Sequence, residues 1–139
     1  AEQIAVAAGE GLRIRSSQAR PSGHAIECRI NAEDPANECM PSPGRITPAE
    51  WPQMEGVRVD TWVDSGSKVS PYYDSLIGKI IVHAPTRAAA VARMREALAA
   101  TRIEGVRTNI AFQAAVMGSR DFEAGGVHTH WLGESSWLT

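Results

Sequence analysis

His24-Ala-Ile-Glu-Cys-Arg-Ile-Asn31 is the stretch that decides the architecture. Its apolar Ile26, Cys28 and Ile30 fall at every second position and alternate with Glu27, Arg29 and Asn31. That period of two marks a strand with one buried and one polar face. Such a strand needs partners along its edges and a cover over its apolar side, and the sequence downstream supplies both. Val57, Val59, Thr61 and Val63 alternate with Arg58, Asp60 and Trp62 in a second strand, and Asp64–Ser67 then turns the chain towards Lys68 and Val69. Leu76–His83, LIGKIIVH, is the segment richest in β-branched residues and is expected to be the central strand. Ile46–Thr47 is expected to start a further short one.

The cover comes later in the chain. Thr86 can N-cap a helix whose inner face is Val91, Met94 and Leu98, and Asn109 can cap a second with Phe112, Val116 and Met117 inward. Ser119 is placed to cap a last short turn that Gly125 and Gly126 end, after which VHTHWL (127–132) reads as an edge strand. Strands first and helices later predict an α+β domain, a mainly antiparallel sheet with two or three helices packed on it. Residues 32–44, AEDPANECMPSPG, carry three prolines and are expected to form a loop. Upstream, AEQIAVAAGEG reads as the end of a helix closed at Gly9. With no capping residue before Ala1, the chain is expected to be a segment of something longer. A connector over 12–22, LRIRSSQARPS, sets the predicted boundary: residues 1–22 are a tail and connector, and residues 23–139 the domain.

Composition limits the function. A chain of 139 residues with 43% hydrophobic and 22% charged residues can build one core without metals or disulfides. Fourteen Lys and Arg against 16 Asp and Glu give a net charge of −2, which offers no field to attract nucleic acid or an anionic membrane. No apolar run reaches the about 18 residues of a spanning helix. Cys28 and Cys39, without a CxxC pattern, point to reduced thiols and a cytoplasmic protein, and Cys28 is expected to be a buried hydrophobe, not a nucleophile.

Motifs for self-sufficient catalysis are absent: no GxxxxGK[ST] phosphate loop, no GxGxxG, no GxSxG and no HExxH. His128 and His130, two apart on the expected edge strand, share a face and could contribute to a metal site or make edge polar contacts; without a third ligand nearby, no metal is expected. Arg29 stands between Glu27 and Asn31 on the polar face of its strand. Spacing alone reads this as a surface ion pair more readily than as a site, and Tyr72, Tyr73 and Asp74 ahead of the central strand as packing and a strand cap.

The series GHAIECRINAEDP (23–35), PSPGRIT, GVRVD, VSPYYDSLIGKIIVH, IEGVRTN and GGVHTHWL resembles, in order and interval, the C-terminal domain of biotin carboxylases. The resemblance runs from Gly23 to about Leu132. It implies part of an ATP- and bicarbonate-dependent ligase that carboxylates the ureido nitrogen of biotin held on a carrier. Under it, Arg29 matches the arginine that stabilises the enolate form of biotin, with Glu27, Asn31, Tyr73 and Asp74 in support and Asp74 expected to hold the guanidinium. Thr129 and His130 match positions at the adenine side of the nucleotide pocket, and Arg58 matches a dimer contact, although Glu55 stands near where that contact often has an aromatic residue. Implied cofactors are biotin, and ATP with Mg bound mainly by residues outside this sequence. Implied partners are the preceding ATP-grasp region, a biotin carboxyl carrier and a second copy. These residues alone are therefore expected to be inactive. A mitochondrial location is the eukaryotic alternative. A non-catalytic dimerisation or docking module within a carboxylase assembly is the competing reading. The acceptor, whether acyl-CoA, pyruvate or urea, is not legible.

Overall fold

A computed structural model describes residues 1–15, 17 and 19–134. The expected connector includes Ser16 and Gln18 and the expected domain ends at Thr139, so those two positions and residues 135–139 lie outside the described part.

The main sheet has three antiparallel strands in the order β1 (His24–Asn31), β8 (Leu76–Ala84), β6 (Val57–Thr61). The most β-branched segment takes the centre, as its composition requires, because a central strand is covered along both edges. Register places Ile26 opposite Val82, Cys28 opposite Ile80 and Arg29 opposite Lys79. On the other edge Val57 faces Val82 and Val59 faces Ile80. The alternation in β1 is realised as read: Ile26, Cys28 and Ile30 are buried, while Glu27 and Arg29 are exposed.

Helix α2 (Arg87–Ala99) covers the apolar face, and the Thr86 hydroxyl caps it by accepting the Ala89 N–H at 3.2 Å. Val91, Met94 and Leu98 are buried as their spacing demands, against Ile80, Val82 and Ile30 in one continuous core. Helix α3 (Ile110–Met117) buries Val116 and Met117 and packs against α2 and β1. The short α4 (Arg120–Ala124) starts at Ser119, whose hydroxyl accepts the Phe122 N–H, and ends at Gly125 in the left-handed region. Helix α1 (Glu2–Ala7) stands upstream, with Gly9 just beyond its end.

Small two-stranded ladders fill the segments between. Within 32–44, read as a loop, β2 (Glu33–Asp34) pairs with β3 (Met40–Pro41) around a single 3-10 turn, Pro35–Asn37. The strand expected at Ile46–Thr47 lies slightly earlier, as β4 (Gly44–Arg45), paired with β7 (Lys68–Val69); Ile46 follows it into the core, fully buried. Ladder β5 (Ala49–Glu50) with β9 (Arg102–Ile103) ties the far side together.

Two expectations are corrected. Residues 127–132 form no edge strand: α5 is a helical turn, Trp131–Glu134, preceded by a turn in which the His128 carbonyl accepts the Trp131 N–H at 3.0 Å. Local bonds satisfy this backbone, and the turn sets the Trp131 ring beside Phe122, centroids 6.4 Å apart. A strand would have sent alternate side chains away from the core. Asn109 occupies the N-cap position of α3, but its side chain makes no capping bond there. It reaches β1 instead.

Candidate functional site

β1 presents Arg29 on the polar side of the sheet because Cys28 and Ile30, its neighbours, are committed to the core. Burial pushes the Cys28 thiol up to about 12, with the Glu27 charge adding to the effect. It is a neutral packing group, in line with the expectation.

Beside Arg29 lies a concavity of about 650 Å³. Its walls are Arg29, Trp62 just after β6, Lys68 of β7, and Ser70, Tyr73, Asp74 and Leu76 on the approach to β8. The approach folds this way for local reasons. The Ser70 hydroxyl accepts the Tyr72 N–H at 3.2 Å and the Asp74 carboxylate accepts the Leu76 N–H at 2.7 Å, two side-chain turns that start the strand. They leave Tyr72 and Tyr73 pointing outwards, 89% and 84% exposed, which is unusual for residues of that size. The Trp62 indole N–H donates to the Leu76 carbonyl at 2.8 Å, fixing its ring at the rim.

Arg29 thus shares one cavity with Tyr73 and Asp74, which lie far downstream in the sequence, and Trp62 and Lys68 join them. Among the described residues the Arg29 guanidinium has no hydrogen-bond or ion-pair partner. The residues expected to hold it are engaged elsewhere. Glu27 lies 4.0 Å from the Lys79 ammonium. The Asn31 amide donates to Glu33 at 2.9 Å, and Glu33 also accepts the Ser75 hydroxyl. Asp74 is bound to the backbone of Leu76, so the expected Asp74–Arg29 bond is not formed. The backbone of Arg29 is what its surroundings bind: the Asn109 and Gln113 side-chain amides donate to the Arg29 carbonyl at 3.1 and 3.3 Å.

Other residues marked by the sequence lie apart. Arg58, on β6, is exposed and paired with Asp60 at 2.9 Å, beside a shallow concavity bounded by Gly56, Val57 and Ile81–His83. Thr129 and His130 are exposed in the turn before α5. His128 pairs with Glu134 at 3.5 Å, its ring 6.5 Å from that of His130. The shared strand face that would have aligned the two histidines is not there. Among the described residues no group of three or more His, Cys, Asp or Glu is placed to hold a metal ion. No described helix is long and apolar enough to cross a membrane.

Trp62, Lys68 and Asn109 are the site residues that sequence reasoning misses. Trp62 carries a signal, an aromatic residue at an outward position of a strand; Lys68 and Asn109 carry none, because their relation to Arg29 exists only across the fold.

The family profile of the biotin carboxylase C-terminal domain matches residues 27–134. The biotin carboxylase of Allochromatium vinosum is 52% identical over 131 residues, 94% of this chain and 29% of that protein. The biotin carboxylase of Nostoc sp. is 47% identical over 133 residues, 96% and 30% of the respective chains. Among solved structures, the biotin carboxylase domain of a thermophilic 2-oxoglutarate carboxylase bound to bicarbonate superimposes with a TM-score of 0.92 at 45% identity, covering 95% of this chain and 30% of that one. The sequence thus spans under a third of the length of these relatives. A match over most of the chain and a shared architecture agree: the chain belongs to the biotin carboxylase C-terminal domain family.

Proposed function

We propose that this chain is the part of a biotin carboxylase that completes the biotin site, with Arg29 as the donor facing the ureido oxygen of biotin. The observation that carries the reading is a permanently charged guanidinium, without a protein partner among the described residues, at the wall of a cavity shared with Trp62, Tyr73 and Asp74. A cation so placed is already aimed at incoming negative charge and needs no bond broken before it acts. The indole and phenol rings suit a small fused ring system with a polar carbonyl. Bound biotin supplies a ureido nitrogen that takes up the carboxyl group. Arg29 is the residue that would face the ureido oxygen and would stabilise negative charge there, with Lys68 a second cation of the same cavity wall. Tyr73 and Asp74 shape the cavity; Glu27 and Asn31 support the strand.

ATP and its metal are assigned to the ATP-grasp part of the enzyme, with residues 1–22 as its tail, residues 23–139 as the C-terminal domain, and Thr129 and His130 at the adenine side. A carrier brings biotin, and a second copy docks near Arg58; one relative was solved as a domain dimer with MgADP, ADP and bicarbonate. The location assigned is the cytoplasm. Alone, the 139 residues carry out neither ATP hydrolysis nor carboxylation.

The test is Arg29→Ala in the full-length enzyme, assayed with free biotin. Losing one preorganised donor lowers biotin carboxylation by about 10²–10³-fold. Unchanged turnover would overturn this reading in favour of a docking module.

A further inference from the structure

Asn109 is 8% exposed, the one buried polar residue among the described ones, and the capping role that its position suggests is not what its side chain performs. β1 lies at the edge of its sheet, with β8 on one side and, among the described residues, no strand on the other. Backbone groups of alternate residues point to the same side of a strand, so Arg29 and Asn31 together present a row of donors and acceptors along that open edge. Asn109 meets this row. Its Nδ2 donates to the Arg29 carbonyl at 3.1 Å, its Oδ1 accepts the Asn31 N–H at 3.0 Å, and its own N–H donates to the Asn31 carbonyl at 3.2 Å. One helical turn on, Gln113 adds a donor to the Arg29 carbonyl at 3.3 Å.

A side-chain carboxamide carries one acceptor and donors in the same relation as a peptide group, so Asn109 stands in for a residue of a missing strand. Aspartate would set an oxygen against the Arg29 carbonyl, and a hydroxyl is too short to span both contacts. The site of this substitution matters. Between Ile30 and Asn31 the pairing with β8 slips, Ile30 facing Gly78 and Asn31 facing Leu76, so the ladder loses its regularity one residue beyond Arg29. On the other edge, Asn109 spans that irregularity.

We propose that Asn109, aided by Gln113, is a positioning residue that fixes the backbone of Arg29 and so aims the guanidinium. This rests on the role proposed for Arg29. Misplacement of a reacting group by about 1 Å can cost about 10²-fold in rate.

The experiment uses the full-length enzyme and two activities of each variant: biotin carboxylation with free biotin, and bicarbonate-dependent ATP hydrolysis without biotin. Asn109→Ala is expected to lower carboxylation at least about tenfold more than it lowers ATP hydrolysis, with the isosteric Asn109→Asp as damaging as Ala. In an Arg29→Ala background, Asn109→Ala should add less than about twofold, since the group it positions is gone. Gln113→Ala, at a less buried position, should show the same selective loss at smaller size and reports on the idea even if Asn109→Ala does not fold. Equal loss of both activities, tolerance of Asp, or a full additional loss on top of Arg29→Ala would overturn the positioning role. If Arg29→Ala itself leaves carboxylation intact, the role of Arg29 fails first, and that of Asn109 with it.

Discussion

The crossing of the β4 segment with the loop before α3 offers a stability test whose size can be worked from the backbone. Gly105 has φ +89, and a Cβ there would collide with the Arg45 carbonyl oxygen. The approach is locked by flanking bonds, Thr47 N–H to the Glu104 carbonyl at 3.0 Å and Glu104 N–H to the Pro48 carbonyl at 3.2 Å. Gly105→Ala therefore meets two penalties. The left-handed conformation costs an L-residue about 1–2 kcal/mol. Forcing a methyl into a backbone contact adds about 1–3 kcal/mol in shifts of the surrounding chain. Gly66 separates the two, because its φ is +96 and nothing lies within 4 Å of its would-be Cβ. Gly66→Ala is expected to cost the conformational part alone, about 1–2 kcal/mol. In urea titrations followed by circular dichroism, Gly105→Ala should lower the midpoint by about 1–2 M more than Gly66→Ala does. Equal midpoints for the two variants would refute the steric argument. The result bears on the site, since β4 pairs with β7, which carries Lys68 of the cavity wall.

Three more outcomes follow from burial. Met94 is fully buried at the centre of α2, and Met94→Ala should cost about 2–5 kcal/mol in the same titration, most of it in the cavity left behind. Cys28 holds its proton up to about pH 12 in the folded chain, against an ordinary thiol value of 9.0. The unfolded chain thus loses the proton first. Stability from this group is complete below about pH 9 and falls by about 1.4 kcal/mol per pH unit as pH rises from there towards 12. Cys28→Ala should show a shallower alkaline slope than wild type, and in the native protein iodoacetamide should modify the half-exposed Cys39 well before Cys28.

Period-two and helical patterning are enough to assign β1, β6, β8, α2 and α3, because each shows one face to a continuous core and that demand is written into consecutive residues. The Thr86 and Ser119 caps are legible for the same reason: a cap bonds within its own turn. Local pattern fails where a distant contact decides the outcome. VHTHWL reads as an edge strand, yet it forms a turn running into a helical turn that sets Trp131 beside Phe122. Asn109 looks like a cap, yet the unfilled edge of β1, 78 residues upstream, claims its amide. The family and the prominence of Arg29 can be read from motifs in order along the chain. That the guanidinium stands without a partner among the described residues, that Trp62 and Lys68 share its cavity, and that two amides, at the start of α3 and one turn into it, hold its backbone are properties of surfaces brought together by folding. No spacing along one strand encodes them, since hydrogen bonds and cavity walls depend on separation in space.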